Sequence, residues 1–183
     1  MGSSLQTFTR EFTPREWARI WRAASERLNP KIEAGVDDRY QIDKAKHHAS
    51  HQLGIAAELA VFELLGLDPA PIWKCHGFAG DGGTDAILED GRTVSIKAAK
   101  SRNAGLIFPP SHPFTEDLAV FATCFMFNGV WIRGYVSRAE YFAQCEMRDL
   151  GRGCGKQEWL AADSLFPFDE LIEAQHRLIG FDF

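Results

Sequence analysis

The chain has 183 residues, 45% of them hydrophobic and 25% charged, with a formal net charge of −5. That length and balance suit one globular domain with a full core. They exclude collagen-like and low-complexity readings, and no apolar run approaches the roughly 20 residues of a membrane span. The charge is unevenly spread. Residues 1–53 carry nine Lys/Arg against seven Asp/Glu, residues 54–100 four against seven, and residues 101–183 seven against eleven. His47, His48 and His51 join the basic first third, so that part is expected to supply nucleic-acid contacts, if there are any. Cys75, Cys124, Cys145 and Cys154 follow no metal-ligand spacing and read as reduced thiols in a cytoplasmic protein. Nothing in residues 1–14 resembles a secretory leader.

In chain order, Thr13-Pro14-Arg15-Glu16 predicts a capped helix start with proline at its first position. Trp17, Ile20, Trp21, Ala24 and Leu28 continue it, and Asn29-Pro30 is expected to end it. A connector over 31–42 leads to a second helix from about Asp43 to Leu65, apolar on most faces in its second half and stopped by Gly66. Ile72 to Lys74 reads as a short strand, and Gly77 to Gly83 as a glycine-rich loop. Thr84–Leu88 and Thr93–Lys97 read as a β-hairpin across Glu89-Asp90-Gly91-Arg92. Leu118 to Phe127 has the composition of a strand covered on both faces, and Asn128-Gly129 signals a tight turn into Val130–Val136. Ser137-Arg138-Ala139-Glu140 opens a short helix, and a last helix runs from about Asp169 to Ile179. The order predicts an α+β (mixed α/β) fold with a central four- to five-stranded mixed sheet flanked by helices. The chain is taken as one domain over 1–183: a helical extension (1–42), a core (43–142) and a C-terminal helical segment (143–183).

The chemistry concentrates in Gly80-Asp81-Gly82-Gly83-Thr84-Asp85 and Val94-Ser95-Ile96-Lys97. Loop length decides whether Asp85 and Lys97 share a face. A three-residue loop (Glu89, Asp90, left-handed Gly91) pairs Leu88 with Arg92 and sets Asp85 against Ser95, with Lys97 a diagonal neighbour. A two-residue Asp90-Gly91 loop pairs Asp85 with Ile96 and sends Lys97 to the other face. Composition leaves both open. Glu58, inside the apolar run Leu53–Phe62, is either paired or costly.

Glu58 on a helix, Gly-Asp-Gly-Gly-Thr-Asp85 and Val-Ser-Ile-Lys97 together resemble the PD-(D/E)XK, or restriction-endonuclease-like, nucleases of phage and bacterial type. Val130–Glu140 is similar to the closing strand and helix of such proteins, so the likeness spans about 47–142. The resemblance implies a restriction-endonuclease-like core and a Mg²⁺-dependent endonuclease acting on DNA, with Mn²⁺ as a substitute ion. It makes Asp85 the metal-bridging carboxylate, Lys97 the catalytic lysine and Glu58 the helical acid. The backbone carbonyl of Ile96 is a further oxygen ligand. Ser95 stands where those proteins usually carry Asp or Glu, and serine is a poor ligand for a hard cation. Asp81, Glu58 and Glu116 are the replacement carboxylates. Lys100, Arg102, Lys46, His47, His48 and His51 are the expected nucleic-acid contacts, and a homodimer is compatible with the sequence. The alternative is a catalytically inactive nuclease-like domain that binds nucleic acid or a protein partner.

Overall fold

The computed structural model describes residues 8–33, 44–74, 84–110, 112–125, 129–151 and 155–180. After strand β1 (Phe8–Arg10), helix α1 (Pro14–Glu33) starts as its sequence dictates. The Thr13 hydroxyl accepts from Glu16 N–H at 3.3 Å, while the Glu16 carboxylate accepts from Thr13 N–H at 2.7 Å. The helix does not stop at Asn29-Pro30 but runs on to Glu33: proline's fixed φ is a helical one, so its missing N–H and the crowding of its ring fall on the last turn without ending the helix. Helix α2 (Lys44–Leu65) ends through two carbonyl-capping bonds, Leu67 N–H to Phe62 O at 2.8 Å and Gly66 N–H to Glu63 O at 3.3 Å. Ala70–Trp73 is a 3₁₀ turn rather than the expected strand. Pro69 and Pro71 preset its φ angles, and Asp68 Oδ1 accepts from Ala70 N–H at 2.9 Å.

The remaining elements are β2 (Ala86–Ile87), β3 (Thr93–Ala99), β4 (Leu106–Phe108), β5 (Leu118–Phe125), β6 (Gly129–Ser137), α3 (Arg138–Gln144), β7 (Glu146–Asp149), β8 (Lys156–Leu160) and α4 (Phe168–Leu178). The central sheet is five-stranded and mixed, in the order β1-β6-β5-β3-β2, and only the β3–β5 pair is parallel. This is the α+β fold with a central mixed sheet that the pattern predicts. A second sheet, β4-β8-β7, was not anticipated. Its strands β7 and β8 lie in the stretch read as a helical segment. β7 is exposed throughout and β8 buries only Gln157 and Leu160, so neither shows the alternation that identifies a half-buried strand. The N-terminal third is likewise no appendage. β1 pairs with β6 along one sheet edge, and Trp17, Ile20 and Ala24 of α1 belong to the main core.

Alternation along the strands divides the interior in two. Val94, Ile96, Val120, Ala122, Cys124, Val130 and Ile132 face α1, α2 and α4. The apolar second half of α2 is buried there, with Ile55, Ala56, Ala57, Ala60, Val61 and Leu65 fully covered. Ala119, Phe121 and Val136 face the other way and pack with Leu106, Phe108 and Leu160 of the second sheet and Tyr141 of α3. Phe108 stacks on Phe114 at 4.3 Å between ring centroids, and Tyr141 meets both rings edge-on. β6 begins at Gly129, which pairs with Phe125 and so belongs to the strand; Asn128, the other half of the expected turn, falls outside the described residues. Within β6 the register slips: Gly134 opposes Phe121 and Ile132 opposes Ala122, leaving Arg133 as the extra residue of a β-bulge. Gly134 has φ +146°, and a Cβ there would come within 2.4 Å of the Phe166 carbonyl, so the bulge requires glycine.

Candidate active site

The β2–β3 loop takes its three-residue form. Leu88 N–H donates to Arg92 O and Gly91 N–H to Leu88 O, each at 2.9 Å, and Gly91 has φ +84°. With Ala86 opposite Val94 and Ile87 opposite Thr93, the register brings Asp85 to the level of Ser95. Lys97 then shares the pleat direction of Ser95, as the odd-length loop requires.

The ladder stops there, and Asp85 shows how. Its N–H donates to Val94 O at 3.0 Å, one position out of register. Its Oδ2 accepts from Ile96 N–H at 2.5 Å and from the Ser95 hydroxyl at 3.5 Å. The carboxylate has taken the place of the next backbone carbonyl along the β3 edge. The N–H and C=O of one strand residue point the same way, so the Ile96 carbonyl projects from that edge as well. Two oxygen donors of the kind a hard cation prefers are thus set on one strand edge. Ser95 is buried, and its hydroxyl serves Asp85.

Lys97 is half-buried, with Nζ 5.2 Å from the centroid of Phe108. No ion pair involves it among the described residues. The ring face lies against the ammonium itself, which keeps its N–H donors for an anion.

Glu58 is committed elsewhere. Arg27 of α1 grips both its oxygens, at 3.2 and 3.0 Å, and also donates to the Ile72 carbonyl at 2.7 Å. The pair ties α1 to α2 and to the 3₁₀ turn. Glu116 is buried and accepts from the Thr115 N–H and hydroxyl, both at 3.2 Å. It lies two residues before Leu118, the partner of Val94, and is therefore level with Arg92 at the loop end of β3 rather than with Ile96. Asp81 falls outside the described residues. Among the described residues no three His, Cys, Asp or Glu side chains form a metal-binding group. The described donors fit Mg²⁺ in kind, but they number only one carboxylate and one carbonyl.

The expected nucleic-acid contacts divide between two regions. Lys100 and Arg102 follow the C-terminal end of β3 and are exposed. Lys46, His47, His48 and His51 lie in the first part of α2, the helix packed on the opposite sheet face. His48 is engaged with α1: its Nε2 is 2.8 Å from the Ser25 hydroxyl and its ring 5.2 Å from that of Trp21.

No family model matches the chain, and neither curated proteins nor solved structures give a match. The functional reading therefore rests on the residues themselves.

Sequence reasoning overlooked Asp117, whose Oδ2 accepts from the Thr93 N–H and hydroxyl at 2.9 Å each and pins the start of β5 to β3. Those two bonds hold its carboxyl below the usual range. It also overlooked Thr9, Thr123, Trp131 and Arg133, which line a cavity of about 430 Å³ with Arg102. The signal was present in the alternation Val130-Trp131-Ile132-Arg133, which sends Trp131 away from the main core.

Proposed function

We propose that this protein is a Mg²⁺-dependent endonuclease that hydrolyses DNA phosphodiester bonds, with Asp85 and Lys97 as its catalytic residues. One observation carries the reading: the three-residue hairpin loop and the departure of Asp85 from the ladder bring a carboxylate and the Ile96 carbonyl to one strand edge, one residue before Lys97. Nothing in strand stability requires an aspartate there, since a continuing strand would satisfy Ile96 N–H with its own carbonyl. A bound divalent cation would supply Lewis acidity and a water of lowered pKa. Asp85 and the Ile96 carbonyl would hold it, together with Asp81. Lys97 contributes a positive charge to the phosphoryl oxygens, whose negative charge grows as the attacking oxygen approaches. The hydrogen bonds from Ile96 N–H and Ser95 orient the Asp85 carboxylate.

A second reading has its own support. The bidentate Arg27 grip on Glu58 and the serine at position 95 remove two acidic groups from the site. Both are expected of a nuclease-like domain that binds nucleic acid without cutting it. A cleavage assay separates the two. Supercoiled, linear duplex and single-stranded DNA are incubated with wild type, Asp85→Ala and Lys97→Ala in Mg²⁺, Mn²⁺ or EDTA. Metal-dependent cutting by wild type, lost in Asp85→Ala and lowered by orders of magnitude in Lys97→Ala, supports the enzyme. DNA binding by wild type with no cutting in any condition supports the inactive domain.

A further inference from the structure

The cavity lined by Thr9, Arg102, Thr123, Trp131 and Arg133 lies on the sheet face that carries Lys97. The register fixes this: Thr9 opposes Trp131 on β1 and β6, Trp131 opposes Thr123 on β6 and β5, and Thr123 opposes Ala99 on β5 and β3. One cross-strand row thus spans four strands. Lys97 opposes Phe121, two residues, or about 7 Å, from Thr123 along β5. The second sheet covers this face at Ala119 and Phe121, so the cavity lies just past that cover.

Three features of the cavity point to a ligand. The first is an unmet hydrogen bond. Thr123 is fully buried, and its hydroxyl has no partner among the described residues. A β-branched apolar residue would pack as well there without stranding a polar atom. The second is charge. The Arg102 guanidinium makes no ion pair among the described residues and lies 4.5 Å from the Trp131 ring and 5.5 Å from the Phe125 ring. The two rings hold the guanidinium at the cavity, and its N–H groups are suited to a bidentate oxyanion. Arg133, turned out by the β-bulge, donates to the Arg102 carbonyl at 2.9 Å and meets Asp163 at 3.6 Å, a carboxylate 87% exposed to water. The third is size. About 430 Å³ is far more than one oxyanion fills, and lies within the range of small-molecule sites.

We propose that this cavity binds a nucleotide unit, its phosphate on Arg102 and Arg133, an oxygen accepting from the Thr123 hydroxyl, and its nucleoside against the aromatic wall of Trp131. A basic groove beside aromatic rings is how single strands are held without sequence preference. The inference goes beyond the Asp85 edge and stands whether or not that edge cleaves.

Titration calorimetry tests it, with three probes in turn: inorganic phosphate, thymidine 5′-monophosphate and a short oligothymidylate. EDTA is present throughout, so a failure of the metal-dependent reading does not move the result. Thr123→Val removes the hydroxyl at nearly constant volume and should leave the melting temperature unchanged or raised. It should weaken mononucleotide binding roughly tenfold or more, the value of a hydrogen bond to a charged group. Arg102→Gln, at an exposed position, should weaken it further and reduce the salt dependence. Tighter binding of the oligonucleotide assigns the site to a nucleotide within a strand, and equal binding to a free nucleotide. Phosphate binding as tightly as the mononucleotide would overturn the proposal, as would no binding of any probe. Unchanged affinity in both variants would overturn it too.

Discussion

Removing the charge of Glu58 while keeping its shape asks whether this residue holds the structure or a metal. The Arg27–Glu58 pair has both bonds within 3.2 Å, and its side chains are 21% and 14% exposed. An exposed pair contributes about 0–1 kcal/mol, and breaking a fully buried one costs about 3–5 kcal/mol. This pair lies between, so Glu58→Gln should destabilise by about 2 kcal/mol, or a melting shift of roughly 4–8 °C for a chain of this size. The loss should nearly vanish in an Arg27→Met background, giving a coupling of about 1–2 kcal/mol in a double-mutant cycle followed by urea unfolding. Mg²⁺ affinity should be unchanged. A Glu58→Gln protein of wild-type stability with weakened Mg²⁺ binding would refute the reasoning and return Glu58 to the metal site.

Gly91 stands at φ +84° with open space around its Cα, so Gly91→Ala should cost about 1 kcal/mol through backbone strain alone, read as a lower urea midpoint at constant slope. Hydrogen bonds from Thr13 lower the Glu16 carboxyl from 4.5 to about 2. Its stabilising contribution is therefore complete above about pH 4.5 and is lost as pH falls towards about 2. Glu16→Gln should flatten the acid limb of the stability profile across that window. Burial pushes the Cys124 thiol up to about 12, so iodoacetamide at pH 8 should label Cys124 only as fast as the protein unfolds, as peptide mapping would show.

Much of the fold was legible because its signals are local. Both helix starts are capped where the sequence places them: the Ser137 hydroxyl accepts from Glu140 N–H at 3.2 Å, as the Thr13 hydroxyl does from Glu16 N–H, although the Glu140 carboxylate accepts from the Ser137 hydroxyl where Glu16 accepts from the Thr13 N–H. The run Leu118–Phe125 is covered on both faces, as its composition implies. The second sheet was not legible, since residues 146–149 are exposed on every position and carry no period. At the site, the sequence narrowed the hairpin to two loop lengths but could not choose, because the choice depends on whether Gly91 closes the turn alone in the left-handed region. The sequence also raised the paired state of Glu58 without naming Arg27, 31 residues away on another helix. The Thr9–Trp131–Thr123–Ala99 row was invisible for a related reason: it is assembled by register across four strands.

The central claim is that Asp85 and the Ile96 carbonyl form part of a divalent-cation site. Crystals grown with Mn²⁺ and measured for anomalous scattering test it without relying on turnover. The account predicts an ion within coordinating distance of an Asp85 carboxylate oxygen and the Ile96 carbonyl in wild type, absent in Asp85→Ala. Mn²⁺ bound only elsewhere, or no ion at saturating Mn²⁺ with the Asp85–Ile96 hydrogen bond intact, would contradict it.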